Sequence, residues 1–212
     1  MKQRELLARA IVGRSLDIPL RPRINIGLKV YETDYPMGPP NNPEKVMCKE
    51  NDLILDNFGL WLSSFFVPGS QNPYTAVSVK DTGNTSRNVS AWGSTSTNVA
   101  VSQYQHSVNL ACSVGVGTGA TAAARTDYNL QTQAGSWTAL GGGSAWTSAA
   151  GNVTFAGSVF LSAGATVTES GVIVDWNGTD NVSRRVLIFH DVFSGVAIAA
   201  GKYAHVAYTI QL

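Results

Sequence analysis

The chain has 212 residues, of which 44% are hydrophobic and only 14% charged, with a formal net charge of +1. That length carries one sizeable core, while a surface of hydroxyls and amides in place of the usual quarter or so of charged residues speaks against a metabolic cytosolic enzyme and for an extracellular, carbohydrate-facing or densely assembled protein. Nine Lys/Arg against six Asp/Glu in residues 1–50, and six against eight in 51–212, leave the body near neutral, which predicts protein neighbours and disfavours nucleic acid as a partner.

Residues 2–13 place Leu6, Leu7, Ala10 and Ile11 on one helical face and predict a short N-terminal amphipathic helix ending at Gly13. The segment MKQRELLARAIVGR has no continuous apolar run, so no secretory signal is expected there. No stretch approaches the roughly 18 to 20 apolar residues that span a bilayer. From Arg21 to Tyr31 the apolar residues alternate as Ile24, Ile26, Leu28 and Val30, the period of a half-buried strand. Pro36, Pro39, Pro40 and Pro43 follow and predict a stiff, extended linker. Residues 1–45 therefore read as a helix and assembly arm, and 46–212 as the main domain.

The run NDLILDNFGLWLSSFFV, residues 51–67, predicts one short buried helix, capped by Asp56 or Asn57. Beyond Pro68, short apolar runs at 75–79, 99–104, 107–116, 153–161, 166–174, 184–189 and 203–212 are separated by Gly, Asn, Ser and Asp. Seven or eight strands of this kind make the protein all-β, a β-sandwich or jelly-roll-like domain.

Several motifs bear on chemistry. Gly115, Gly117 and Ala120 fit the loose G-x-G-x-x-A dinucleotide spelling, but neither a following helix and parallel strand nor an acidic residue about 20 positions on is present, and Gly-Lys-Ser/Thr is missing. In a chain with 21 glycines, composition is the better account of that spelling. His106, His190 and His205 have no metal-ligand spacing. His190 stands beside Asp191, but neighbours on a strand face opposite ways, which makes a satisfied structural histidine the better account. The body's acids are Asp52, Asp56, Asp81, Asp127, Glu169, Asp175, Asp180 and Asp191; lying mostly in turns beside Asn or Gly, they offer no converging pair of the kind glycosidases need. No cofactor is implied. Cys48 and Cys112 lack a metal-binding spacing and read as buried free thiols, a disulfide remaining open in an oxidising compartment. Trp92, Trp137 and Trp146 are candidate sugar-stacking platforms, with core or subunit packing as the alternative use.

Four segments in order, NDLILDNFGLWL, VGVGTGATAAARTDYNLQTQ, TVTESGVIVDWN and VLIFHDVFSGVAIAAGKYAHVAYTIQL, resemble segments of structural proteins of tailed-phage virions. The resemblance spans about residues 51–66, 114–133 and 153–212. It implies a non-enzymatic β-sandwich protein of a viral particle, in a tail, fibre, adaptor or baseplate, or head-decoration position, whose partners are copies of itself and other virion proteins, with no nucleic acid and no membrane. The alternative it carries is a receptor- or glycan-binding module of a viral fibre, facing a host-surface glycan. Under this reading the arm docks subunits, with Leu6, Leu7, Ile11, Ile24, Ile26, Leu28 and Val30 at an interface or an edge strand; the resemblance also implies a sharp strand exit at Gly115, Gly117 and Gly119, with Arg125 and Asp127 clamping the loop as an ion pair and Leu130 returning to the core.

Overall fold

A computed structural model describes residues 25–49, 55–64, 76–90, 112–140, 146–149, 152–177 and 182–211. The described chain is mostly strand with one small helix, an all-β, sandwich-like fold. The expected helix at 2–13, the expected strand at 99–104, and residues Leu6, Leu7, Ile11, Ile24 and Trp92 lie outside the described residues.

Eleven strands are described: β1 (Asn25–Thr33), β2 (Met47–Lys49), β3 (Ala76–Lys80), β4 (Ser86–Ser90), β5 (Cys112–Gly117), β6 (Gln133–Ala139), β7 (Trp146–Ala149), β8 (Asn152–Leu161), β9 (Ala165–Asn177), β10 (Ser183–Ile198) and β11 (Lys202–Gln211). The helix, α1, spans Asp56–Ser64. One sheet runs β2-β1-β11-β8-β7, a second β10-β9-β5-β6, and β3-β4 form a separate hairpin; all pairings are antiparallel.

Period-two alternation sends one side of each strand inward. Leu28, Val30, Val159, Val206 and Tyr208 from the first sheet form one buried cluster with Val114, Val172, Val186, Ile188 and Phe189 from the second. One polar contact crosses between the sheets where Ser170 Oγ meets the Tyr208 hydroxyl at 2.8 Å.

The structure revises the reading of the arm. β1 is hydrogen bonded to β11 along its length and to β2 at Leu28–Val30 on the other side, so its middle has both edges occupied within the chain. Ile26, Leu28 and Val30 are buried at 2% exposure or less, each contributing about 1.5–3 kcal/mol of burial. They are core residues of their own sheet, not an edge strand for a neighbour, and the boundary expected at 45 falls between two paired strands. The proline stretch is likewise no extended linker. It turns back through Met37, at φ 61, and a 3-10 turn at Pro43–Lys45 capped by Asn42, returning β2 alongside β1.

β10 lies at the end of the second sheet, and groups from two other elements occupy carbonyls along it. Thr82 N donates to Arg185 O (2.9 Å) and Asn57 Nδ2 to Leu187 O (3.2 Å), which limits open strand pairing. Asn57 is thus a bridge, also reaching Lys80 O, rather than a helix cap. Among the described residues no helix is long and apolar enough to cross a membrane.

Candidate functional site

Sheet alternation also decides what stands on the outer face of the second sheet. With Val114 and Val116 pointing inward, Gly115 and Gly117 of β5 face out, opposite Gly171 and Glu169 of β9. His190 of β10 is opposite Gly171. These glycines form a low floor on which larger groups settle. A Cβ on Gly115 would lie 2.6 Å from the Trp137 ring, and one on Gly117 would collide with the Glu169 carboxylate and Thr132 O.

The loop between β5 and β6 folds over this floor and closes around Glu169. Glu169 Oε1 accepts from Gly119 N (2.9 Å) and Thr132 N (2.7 Å), and Oε2 accepts from Gln131 N (2.9 Å) and His190 Nε2 (3.0 Å). His190 Nδ1 bonds Asp127 Oδ2 at 2.7 Å, and that oxygen also accepts from Ala124 N. Glu169 and His190 side chains are fully buried, and Asp127 is partly open. Burial alone would raise the Glu169 pKa, but the His190 and backbone hydrogen bonds outweigh it and hold the carboxyl down at about 2. Burial pushes the His190 pKa down, and the hydrogen bonds and charges of Glu169 and Asp127 more than reverse it, leaving it raised. The ring is therefore held between two carboxylates as an imidazolium.

The chemistry of this arrangement is restrictive. Both His190 nitrogens donate, so no lone pair remains to take a proton from a substrate. Glu169 already accepts four hydrogen bonds. One glycine amide, Gly119 N, joins those of Gln131 and Thr132 around an anion, and that anion is the chain's own carboxylate. Among the described residues no group of three or more His, Cys, Asp or Glu is arranged to hold a metal ion.

The expected Arg125–Asp127 clamp is replaced by two others. Arg125 Nη2 pairs with Asp56 Oδ1 at 2.6 Å at the start of α1, while a turn closed by Asp127 N to Ala124 O directs the Asp127 carboxylate back to His190. His190 and Asp191 do face opposite ways. Asp191 turns between the sheets and pairs with Lys49 of β2, joining the two sheet edges. Leu130 is buried, against the position a Gly171 Cβ would take.

Trp137 is half-buried over Gly115 and packs with Leu55, Ile173 and Leu187, so the ring is engaged with its own sheet rather than presented as a sugar platform. Trp146 opens β7 opposite Phe155. Both cysteines are free; Cys48 is exposed, not buried as expected, and Cys112 is half-buried. Burial, with the nearby Asp175 charge, pushes the Cys112 thiol up to about 12. Glu169 falls in the strand expected at 166–174 and lies within β9, but its neighbours T-E-S-G carry no sign of the loop that closes over it.

Comparison with protein-family models, curated proteins and solved structures finds no match to this chain.

Proposed function

We propose that this chain is a non-enzymatic structural protein of a virion, a tail, adaptor or baseplate, or decoration component that works by assembling with copies of itself and other virion proteins. One observation carries the non-enzymatic part. The groups best suited to chemistry, Glu169, His190 and Asp127, are spent on each other and on loop amides, so they act as a clamp that stiffens one face of the sandwich. The ordered segments resembling tailed-phage proteins and the low net charge support the assembly part.

The test is incorporation into particles. Virions from cells expressing the tagged full chain are purified and assayed by mass spectrometry and cryo-EM, beside a chain lacking residues 1–24, which keeps every described strand. The expected result is stoichiometric full-length chain in particles and reduced incorporation of the shortened one. Particles devoid of the full chain refute the proposal. Deletion through residue 45 is unsuitable because it removes β1, which is paired with both β2 and β11 in its sheet.

A further inference from the structure

We infer that residues 35–40 form a strap that lifts off the first sheet when His205 takes up a proton. With Val30, Val159 and Val206 facing the core, Tyr31, His205 and Ser158 stand side by side on the outer face, His205 of β11 between the other two. An uncovered outer face would leave them in water. Instead Tyr31, Thr33, Ser158 and His205 are each 8% exposed or less, because the chain leaving β1 folds back across them. The Tyr31 hydroxyl donates to Gly38 O at 3.1 Å, and Met37 N donates to Ser158 Oγ at 3.2 Å. The strap is therefore bonded to the strands on both sides of β11 and crosses over His205.

The strap is closely seated and held under strain. A Cβ on Gly38 would collide with Thr33 Oγ1 and the Tyr35 ring. Met37 adopts φ 61, a left-handed conformation that bulky side chains avoid. Its bond to the sheet runs through a hydroxyl that His205 shares. Ser158 Oγ accepts from Met37 N and, with the ring neutral, donates its hydrogen to His205 Nδ1 at 2.9 Å. A protonated ring carries a hydrogen on Nδ1, so Ser158 loses that acceptor while the strap keeps water from the new charge. Both ends of the strap are anchored separately, Asp34 by Lys202 and Asn41 by Glu32 O and the Glu32 and Asp34 carboxylates, which confines the movement to residues 35–40.

Among the described residues no carboxylate bonds the ring. On this face β1 places Lys29 and Tyr31, β2 places Cys48 opposite Lys29, β8 places Ser158 and Phe160, β11 itself places Tyr203, and the strap brings the Met37 and Gly38 backbone. Glu32 and Asp34 are engaged by Asn41, Lys202 and the Ala199 amide. Burial, then the charge of Lys29, accordingly holds the covered ring at about 4, against an ordinary 6.5. Lifting the strap returns the ring to water and to its ordinary value. The strap is thus fully seated above pH 6.5 and loosens as pH falls toward 4, the ratio of lifted to seated strap rising about 20-fold from pH 7 to pH 5 and about 100-fold by pH 4.

Amide hydrogen exchange of the full chain at about pH 7 and about pH 5, each rate divided by that of an unstructured amide at the same pH, tests it. The expected result is an opening at Met37 and Gly38 that grows about 20-fold on acidification, while the core amides of Ile188 and Val206 stay far better protected and the hairpin amide of Asn84, bonded to Asp81 O, shows no such rise. His205→Gln keeps an acceptor for Ser158 without a titrating ring and should abolish the acid response with the strap still seated. Ser158→Ala keeps the ring and removes the shared hydroxyl; it should raise the opening at Met37 about tenfold already at pH 7, which keeps the test valid if His205→Gln disturbs folding. An acid response below about threefold at Met37 and Gly38, one that persists in His205→Gln, Met37 protection unchanged in Ser158→Ala, or strap amides that exchange no faster than the core overturns the inference.

Discussion

Replacing Glu169 by Gln keeps the shape of the side chain and removes half of what it does. The carboxylate accepts two hydrogen bonds on each oxygen, and an amide supplies one acceptor oxygen and one NH₂ group. With the NH₂ group toward Gly119 N and Thr132 N two donors face a donor in a buried site; turned the other way it faces Gln131 N, and His190 must give up its proton to accept from it. Hydrogen bonds to a charged group contribute about 1.5–3 kcal/mol each, so Glu169→Gln is expected to cost about 3–5 kcal/mol. For a chain of this size 1 kcal/mol moves Tm by about 2–4 °C, which makes the loss roughly 10 °C. Equilibrium urea unfolding near pH 6 measures it, and amide hydrogen exchange at Gly119, Gln131 and Thr132 locates it. The wild-type profile has a matching pH signature. Glu169, ordinarily near 4.5 and held at about 2, contributes stability that is present above 4.5 and lost as pH falls through about 2. His190, raised above 6.5, contributes stability that is full below 6.5 and lost as pH rises through the raised value. A cost below about 1 kcal/mol, with unchanged exchange at the three amides, would refute the clamp.

His205 works in the opposite sense. Burial, then the charge of Lys29, holds its pKa down at about 4, and the neutral ring bonds Ser158 Oγ through Nδ1 at 2.9 Å. The unfolded chain takes up this proton near 6.5 while the folded one resists to about 4, so stability should fall by about 3 kcal/mol across that interval. NMR of the His205 ring showing half-protonation near pH 6.5 would contradict this. At the sheet edges, Lys49→Met leaves the Asp191 carboxylate buried without its cation and should cost about 3 kcal/mol, near the low end for such pairs because Lys49 is itself half-exposed. Adding Asp191→Leu should recover most of that loss; a double variant less stable than Lys49→Met alone, measured by urea unfolding, removes the buried-charge explanation.

Much of the fold was legible in local patterns. Ile26, Leu28 and Val30 alternate within β1, and the runs at 153–161 and 203–212 match β8 and β11 within a residue at each end, because one buried face imposes period two on the sequence. The all-β class follows from the same repetition. The extent of β10 was not legible. It continues past residue 189, through Ser194 and Gly195, to Ile198 with two register shifts, and residues that read as a turn are carried inside a strand by their pairing with β9. β2, β4, β6 and β7 were also missed; they are short or polar, and neighbouring strands rather than their own pattern hold them.

Sequence by itself determined which side chains must leave water, and hence strands such as β1, β8 and β11, the buried helix and the all-β class. It could not determine who sits beside whom. The partners of β1, the pairing of Lys49 with Asp191, and the convergence of Gly117, Gly119, Asp127, Glu169 and His190 depend on contacts between residues far apart in the chain. Periodicity specifies the face a residue presents, while its neighbour across a sheet is selected by the packing of the whole core. Only the tertiary structure could therefore show that the anion held by the glycine loop is the protein's own Glu169.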